Sequence, residues 1–138
     1  MTASRKVSDL LPVVAKRCLA FVAKAQAEGI EVIITSTYRD FASQNALYAQ
    51  GRTRPGKVVT RARGGQSFHN FRVAFDFVPV VHGKAVWTDL ALFRRCGEIG
   101  ESLGLEWGGR WQGMRDRPHM QYTGGLSLAE MRAGELPK

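Results

Sequence analysis

The chain has 138 residues, of which 44% are hydrophobic and 23% charged, and its formal net charge is +8. A chain of this length and composition is expected to form one globular domain that buries about two-thirds of its unfolded surface, without help from a disulfide or structural metal. No apolar stretch approaches the roughly 20 residues that span a membrane.

The excess of 20 Lys and Arg over 12 Asp and Glu predicts attraction to polyanions such as nucleic acid, anionic lipid headgroups or an acidic cell wall. The basic residues are densest from Arg52 to Arg63. Neither an RNA-binding aromatic pattern nor a zinc-finger spacing accompanies them, so specific nucleic-acid binding is not expected.

The N-terminus begins like a signal peptide but does not continue like one. Arg5 and Lys6 are followed by a segment that carries Asp9, Lys16 and Arg17 among its apolar residues. The apolar core of a signal peptide lacks such charges. The chain is therefore expected to be made in the cytoplasm and to need another factor to cross the inner membrane.

The first half of the chain predicts two helices around one strand. Ser8 can cap a helix that runs to about Glu28, residues 31–36 are rich in β-branched side chains typical of a strand, and Asp40 can cap a second helix over residues 41–50. The inward positions predicted for the first helix are spaced three or four residues apart: Leu11, Ala15, Cys18, Val22 and Ala25.

The middle of the chain predicts a long functional loop and then a hairpin. Residues 52–66 contain chain breakers and no helical period, and their individual arginines are expected to be solvated. A strand follows over residues 73–78, and the next turn falls at His82 and Gly83. His82 is therefore interpreted as an exposed turn residue rather than a metal ligand.

The last third predicts a third helix, capped by Thr88 or Asp89 and ending near Leu103. Trp107 and Trp111 can wall a cleft, although aromatics in such a context are as often core. A capping box at residues 127–130 indicates a short structural helix. The third helix's predicted inward positions are Leu92, Cys96, Ile99 and Leu103.

Cys18 and Cys96 are the only cysteines, and both fall in apolar helical patterns. Two buried free thiols is the favoured interpretation. Their spacing alone leaves a disulfide open.

One acid stands inside an apolar run. Asp76 shares a strand face with Ala74 and Val78, whose small side chains leave room for a carboxylate. Burying this carboxylate in its ionised form is costly unless a cation or hydrogen-bond donors meet it. His69 precedes Asp76 by seven residues, and residues 116–122 again combine an acid with a histidine.

Together these residues predict a metal site. Two imidazoles and one carboxylate are a familiar ligand set for catalytic zinc, which keeps a fourth position for water, and a second carboxylate would then serve as base. Pro118 makes its segment extended and rigid, so that His119 and Gln121 face one way while Met120 and Tyr122 face the other.

Several separated motifs resemble, in order, those of the VanY-like zinc D,D-carboxypeptidases and L-alanyl-D-glutamate endopeptidases of peptidoglycan. The metal motifs are Ser67-x-His69, Ala74-x-Asp76 and Asp116-x-x-His119. The likeness extends from about Ile33 to Pro137 and is strongest to the endopeptidase branch used by phage endolysins. The further matching segments are residues 36–39 with Gln44, and residues 51–56, 64–67, 105–109 and 124–128.

The resemblance implies a small α+β fold, in which an antiparallel sheet carries the metal and helices flank it. It implies zinc bound by three side chains, with a second acid acting as general base and acid. An arginine would stabilise the oxyanion, and the remaining candidates would bind substrate. The implied residues are His69, Asp76 and His119 for zinc, Asp116 as base, Arg39 for the oxyanion, and Ser67, Gln44 and Trp111 for substrate.

This sequence departs from the family pattern at Arg72, where glycine is usual. Two explanations are open: the backbone at Arg72 does not need a positive φ, or the turn is rebuilt. A further hypothesis places the Arg72 side chain in the cleft, where it would contact a carboxylate of the stem peptide.

The leading hypothesis is a monomeric zinc L-alanyl-D-glutamate endopeptidase that cleaves peptidoglycan stem peptides. It would act as a phage or prophage endolysin, consisting of one catalytic domain over residues 1–138 without a wall-binding module. It would be released through a holin-made lesion and attracted by charge to the anionic envelope. The alternatives are a D-Ala-D-Ala carboxypeptidase and a non-catalytic metal-bearing module like the Hedgehog signalling domain; Asp116 argues against the latter.

Overall fold

Five antiparallel strands and four α-helices make up the fold in a computed structural model that describes residues 1–138. The helices are α1 (Pro12–Ala27), α2 (Phe41–Ala49), α3 (Leu90–Ser102) and α4 (Leu128–Arg132). The strands are β1 (Glu31–Ser36), β2 (Ala74–Val81), β3 (Lys84–Ala85), β4 (Glu106–Trp107) and β5 (His119–Gln121). Short 3-10 helices occupy Val7–Asp9, Phe68–Phe71 and Gly108–Arg110.

The strands form one sheet in the order β1-β2-β5-β4, with β3 paired to the end of β2. The long strand β2 is central, since β1 and β5 pair with its two edges. This architecture confirms the predicted α+β fold. None of the helices combines the length and hydropathy that a membrane crossing requires.

One face of the sheet packs on helices α1 and α3. The Phe77 ring of β2 lies 5.0 Å from that of Phe21 on α1 and 5.5 Å from that of Phe93 on α3, measured between ring centroids. Met120 of β5 is fully buried in the same 18-residue core. Because side chains alternate along a strand, Asp76 and His119 face the opposite side of the sheet.

The predicted start of the first helix is wrong. Helix α1 begins at Pro12 with Leu11 as N-cap, and Ser8 lies in the preceding 3-10 helix. Proline disfavours helical backbone in the residue before it, so Leu11 is held extended while Pro12 suits the first helical position. The fully buried face consists of Val14, Cys18, Phe21 and Ala25, so only Cys18 and Ala25 of the five predicted inward positions belong to it.

The locally encoded elements agree with prediction. Strand β1 has the predicted bounds, and the Asp40 side chain caps α2 by accepting a 2.7 Å hydrogen bond from the Ser43 amide. The β2–β3 turn has positive φ at both His82 and Gly83, and His82 is exposed. Both cysteines are buried and free, as the favoured interpretation predicted.

The interpretation of Trp107 as a cleft wall is wrong, because this side chain belongs to the core. Its indole packs so closely on α3 that a Cβ atom at Gly97 would lie 2.2 Å from the ring. The indole Nε1 donates a 2.7 Å hydrogen bond to the Arg117 carbonyl, which ties the segment before β5 to the core.

Candidate metal centre

The pairing of β2 with β5 brings Asp76 and His119 together. These residues are direct partners in the antiparallel ladder, and the Asp76 Oδ1 atom lies 3.5 Å from the His119 Nδ1 atom. On the other edge of β2, Ser36 is the partner of Asp76 after an irregularity in β1. The strand register therefore fixes two of the three predicted ligands.

His69 reaches the same point from the short 3-10 helix before β2. Ser67 caps this helix: its hydroxyl accepts a 3.3 Å hydrogen bond from the His69 amide. The Asn70 side chain donates to the Arg39 carbonyl at 3.0 Å, which anchors the helix to the segment after β1. His69 Nε2 consequently lies 3.2 Å from Asp76 Oδ1.

Arg72 ends this 3-10 helix in the left-handed conformation, with φ of 63°. The explanation that the backbone does not need a positive φ at Arg72 is therefore wrong, since the backbone does adopt one there. The guanidinium stacks 3.8 Å above the Tyr38 ring centroid and donates a 2.9 Å hydrogen bond to the Asp9 carbonyl. The hypothesis that Arg72 lines the cleft is also wrong, because its side chain is held against these two residues.

Hydrogen-bond partners select one tautomer for each histidine. His69 Nδ1 lies 2.8 Å from the Thr37 carbonyl, which can only accept, so Nδ1 carries the proton and Nε2 keeps a lone pair. On His119 the roles are reversed, because Nε2 lies 2.7 Å from the Gln121 Oε1 atom. Gln121 is oriented in turn by a 3.2 Å hydrogen bond from its Nε2 to Glu106.

The three side chains fit a divalent metal ion. Their candidate ligand atoms all lie within 4.8 Å of one another. The unprotonated nitrogens, His69 Nε2 and His119 Nδ1, point toward the Asp76 carboxylate. The opposite nitrogen of each ring donates a hydrogen bond, which is the arrangement that orients metal-binding imidazoles. Burial raises the pKa of Asp76, but hydrogen bonds and charge from His119 and His69, when these imidazoles are protonated, outweigh it and hold this pKa below its usual range. The carboxylate is thus ionised, as a ligand must be.

Asp116 stands beside this cluster without joining it. Its side chain is half exposed, and its Oδ2 atom lies 3.8 Å from His119 Nδ1. Burial and the negative charge of Asp76 raise the pKa of Asp116, although His119, His69 and Arg39 oppose the shift. A carboxylate with a raised pKa, open to the cleft, is suited to accepting and returning a proton.

Gly108 allows the Asp116 loop to close on the site. A Cβ atom at Gly108 would lie 2.3 Å from the Asp116 carbonyl oxygen, a distance that no side chain permits. The Asp116 amide donates a 3.0 Å hydrogen bond to the Gly108 carbonyl. Glycine is therefore needed at this position for close approach of two backbones.

Arg39 points into the site from the segment after β1. Its Nη1 atom donates a 2.8 Å hydrogen bond to the side-chain oxygen of Gln44, and its Nη2 atom lies 3.4 Å from the Ser36 hydroxyl. Burial lowers the pKa of Arg39, while Asp76 and Asp116 raise it, and a guanidinium remains charged in any case.

The assignment of Gln44 to substrate binding needs correction. Gln44 is fully buried, and its amide nitrogen donates a 2.8 Å hydrogen bond to the Ala62 carbonyl while its oxygen receives Arg39. Both ends of the amide are therefore occupied. Gln44 positions Arg39 and anchors the long loop, rather than facing the cleft.

The other candidates line one cleft of about 650 Å³. Arg39, Ser67 and Asp116 surround the three predicted ligands, and the Trp111 ring lies 5.0 Å from the His119 imidazole. Sequence reasoning did not identify the residues that orient the imidazoles. Gln121 was visible only as a neighbour of His119 on one strand face, and Glu106 becomes its partner only through the β4–β5 register.

Candidate nitrogen and oxygen ligands, a half-exposed carboxylate and a cation around one cleft are the groups that a metal-dependent hydrolase requires. A family model described as D-alanyl-D-alanine carboxypeptidase matches residues 60–122. The chain is 39% identical over 129 residues to the peptidoglycan L-alanyl-D-glutamate endopeptidase CwlK of Bacillus subtilis, covering 83% of this chain and 74% of CwlK. The chain therefore belongs to the VanY-like family of peptidoglycan metallopeptidases, which confirms the predicted resemblance and the prediction of an enzyme.

A second relative comes from a virus. The chain is 31% identical over 123 residues to the L-alanyl-D-glutamate peptidase of a Listeria phage, covering 86% of this chain but 38% of the phage protein. The match thus spans less than half of that longer protein.

Two solved structures share the fold. The L-Ala D-Glu endopeptidase ChiX of Serratia marcescens aligns with a TM-score of 0.63 at 18% identity, over 91% of this chain and 86% of ChiX. The D,D-pentapeptidase VanY of a VanB-type resistance cassette, solved with Zn(II), aligns with a TM-score of 0.64 at 14% identity, over 99% of this chain and 86% of VanY.

Proposed function

We propose that this chain is a zinc-dependent L-alanyl-D-glutamate endopeptidase that cleaves the stem peptides of peptidoglycan. The observation that carries the proposal is the convergence of His69, Asp76 and His119 beside Asp116 in one cleft. The bond assignment is supported by the endopeptidase CwlK, at 39% identity, and by the phage peptidase, since the names of both proteins specify this bond.

Zinc is the proposed metal because imidazole nitrogen and carboxylate oxygen are its usual ligands in catalytic sites, and because VanY holds Zn(II) on the same fold. His69, Asp76 and His119 would hold the zinc, which would supply Lewis acidity to activate water near neutral pH and to polarise the scissile carbonyl.

In the proposed reaction Asp116 accepts a proton from the attacking water. Water oxygen bonds to the carbonyl carbon of the L-alanyl residue, and the negative charge that develops on the carbonyl oxygen is stabilised by the Arg39 guanidinium. Asp116 then returns its proton to the nitrogen of the D-glutamyl residue as the C–N bond breaks. The products are an L-alanyl carboxylate and a free D-glutamyl amine.

Ser67 and Trp111 are proposed to position the peptide, since both line the cleft beside the predicted ligands. The Ser67 hydroxyl accepts from the His69 amide and still has its own proton to donate. The indole of Trp111 offers a flat apolar wall next to His119.

We further propose that residues 1–138 act as one monomeric catalytic domain in phage or prophage lysis. The phage relative supports this role. Access to the wall would follow a holin-type lesion of the membrane, and the net charge of +8 would favour adsorption to an anionic envelope.

Purified sacculi provide the test. The zinc-loaded protein should release fragments that mass spectrometry and amine labelling identify by new D-glutamyl amines and L-alanyl carboxylates. Chelation should abolish this release, and zinc should restore it. Digestion without new D-glutamyl amines would refute the bond assignment.

The family model's description favours one alternative, a D-alanyl-D-alanine carboxypeptidase. Both activities use the same metal ligands, so the site alone does not separate them. A soluble pentapeptide stem ending in D-Ala-D-Ala distinguishes the two: the alternative predicts release of free D-alanine, whereas the proposed function predicts release of a tetrapeptide that begins with D-glutamate.

A further inference from the structure

The catalytic cleft opens into a second cavity of about 800 Å³, here termed the outer compartment. Seven of its eleven lining residues, Trp111 and Asp116 among them, also line the catalytic cleft, so the two spaces overlap. Beyond this overlap the outer compartment is lined by side chains that the proposed reaction does not use, among them Arg61, Arg115 and Arg132.

The cations of the outer compartment come from three separate parts of the chain. Arg61 lies in the long loop after α2, Arg115 in the loop before β5, and Arg132 at the end of α4. Asp116, in the overlap, is the only acid among the lining residues. The compartment is therefore strongly electropositive.

Arg61 and Arg115 are exposed and form neither an ion pair nor a side-chain hydrogen bond within the chain. Arg95 and Arg110 are paired, since Arg95 lies 2.9 Å from Glu28 and Arg110 lies 3.0 Å from Glu101, whereas the exposed Arg94 is unpaired but lines neither cavity. Two unpaired guanidinium groups from separate loops that line one cavity are available for an anionic ligand, and their planar, forked donors match a carboxylate.

The proposed substrate carries a carboxylate beside the bond that is cut. A glutamyl residue has two carboxyl groups, and a linear stem continues through one of them. The other is separated from the glutamyl nitrogen by a few bonds and lies within roughly 5 Å of it. Asp116 donates a proton to this same nitrogen in the proposed reaction, and Asp116 also lines the outer compartment.

We propose that Arg61 and Arg115 form a carboxylate-binding subsite for the leaving-group side of the substrate, which selects a free carboxylate on the D-glutamyl residue. This inference rests on the proposed function and adds the chemical group of the substrate that the enzyme recognises, a free carboxylate. It also replaces the expectation that Arg61 is merely solvated.

The test uses two soluble stem peptides that differ only in this carboxyl group, one free and one converted to the amide. Soluble peptides remove any contribution from adsorption to the wall. Each peptide is measured with the wild-type chain and with Arg61→Gln, Arg115→Gln and the double variant. Arg94→Gln is the matched control, because Arg94 is an exposed arginine on α3 that does not line the cleft.

We expect wild-type kcat/KM to favour the free carboxylate. Each arginine substitution should lower this preference by about 2- to 5-fold, as for removal of one partly solvated ion pair, and should leave the amide peptide nearly unchanged. Arg94→Gln should leave the preference unaltered. A preference that survives in the double variant would overturn the subsite.

Binding to an inactive background separates the subsite from the reaction. In the Asp116→Asn background, calorimetry should show tighter binding of the peptide with the free carboxylate than of its amide. Adding Arg61→Gln and Arg115→Gln should remove this difference in affinity. If that binding preference holds while neither peptide is cut by the active chain, the subsite stands and the proposed bond assignment fails. If cleavage occurs without any preference in either assay, the proposed function stands and the subsite fails.

Discussion

Replacing Arg72 by the glycine usual in its family is expected to destabilise this protein. Glycine would relieve the strain of the left-handed conformation at φ of 63°, which is worth about 1–2 kcal/mol. The greater freedom of glycine in the unfolded chain cancels roughly 0.5–1 kcal/mol of that gain. The lost contacts weigh more. The stacking on Tyr38 is worth about 0.5–1 kcal/mol and the hydrogen bond to the Asp9 carbonyl about 1 kcal/mol.

The balance predicts that Arg72→Gly lowers the free energy of unfolding by about 1 kcal/mol and Arg72→Ala by about 2 kcal/mol, because alanine loses the contacts and keeps the strain. For a chain of this size the Tm should fall by roughly 4 °C and 8 °C. Urea unfolding measures the free energy of unfolding and thermal unfolding measures the Tm. A chelator in both experiments removes any contribution from metal binding. Arg94→Ala, on an exposed helix face, should stay within about 0.5 kcal/mol of wild type. An Arg72→Gly variant as stable as wild type would show that strain outweighs the two contacts.

Three further outcomes follow from the site and the core. Asp116→Asn should reduce kcat by roughly 10²- to 10⁴-fold while metal content by mass spectrometry stays unchanged; loss of metal would instead make Asp116 a ligand. Gln121→Leu should weaken metal affinity by about 10- to 100-fold in chelator competition, because His119 Nε2 loses the acceptor that fixes its tautomer, and unchanged affinity would refute that role. Burial raises the pKa of Cys18 to about 12 and that of Cys96 to about 11, so both thiols stay protonated below those values. Iodoacetamide at pH 8 should therefore label them only at the rate of unfolding, and fast labelling of the native protein would contradict their burial.

The elements that the sequence predicted well are those with local causes. Asp40 places its side chain on the Ser43 amide within one turn, and the turn at His82 and Gly83 needs only two residues in the left-handed conformation. The start of α1 was missed although its cause is also local: the restriction that Pro12 imposes on Leu11 overrides the capping tendency of Ser8.

In the candidate site, too, some residues could be predicted from the sequence and others could not. The three predicted ligands and Asp116 are recognisable by residue type and motif, and the structure brings them together. The positions of Gln44 and Trp107 depend on partners that are distant in sequence, namely the Ala62 carbonyl and Gly97. No periodicity in the sequence specifies such pairings, so a buried amide was taken for a cleft residue, and the sequence left a cleft wall and the core as alternatives for Trp107.

The core and the metal centre depend on one strand register. A slip of β5 by one residue against β2 would turn His119 toward the helices and bring Met120 opposite Asp76. Met120 is held in register because α3 presents Gly100 to it, where a Cβ atom would lie 2.4 Å from the Met120 Cε atom. The apolar contact between Met120 and α3 on one face of the sheet therefore fixes where His119 points on the other. The geometry of the predicted metal ligands thus depends on packing on the opposite face of the sheet.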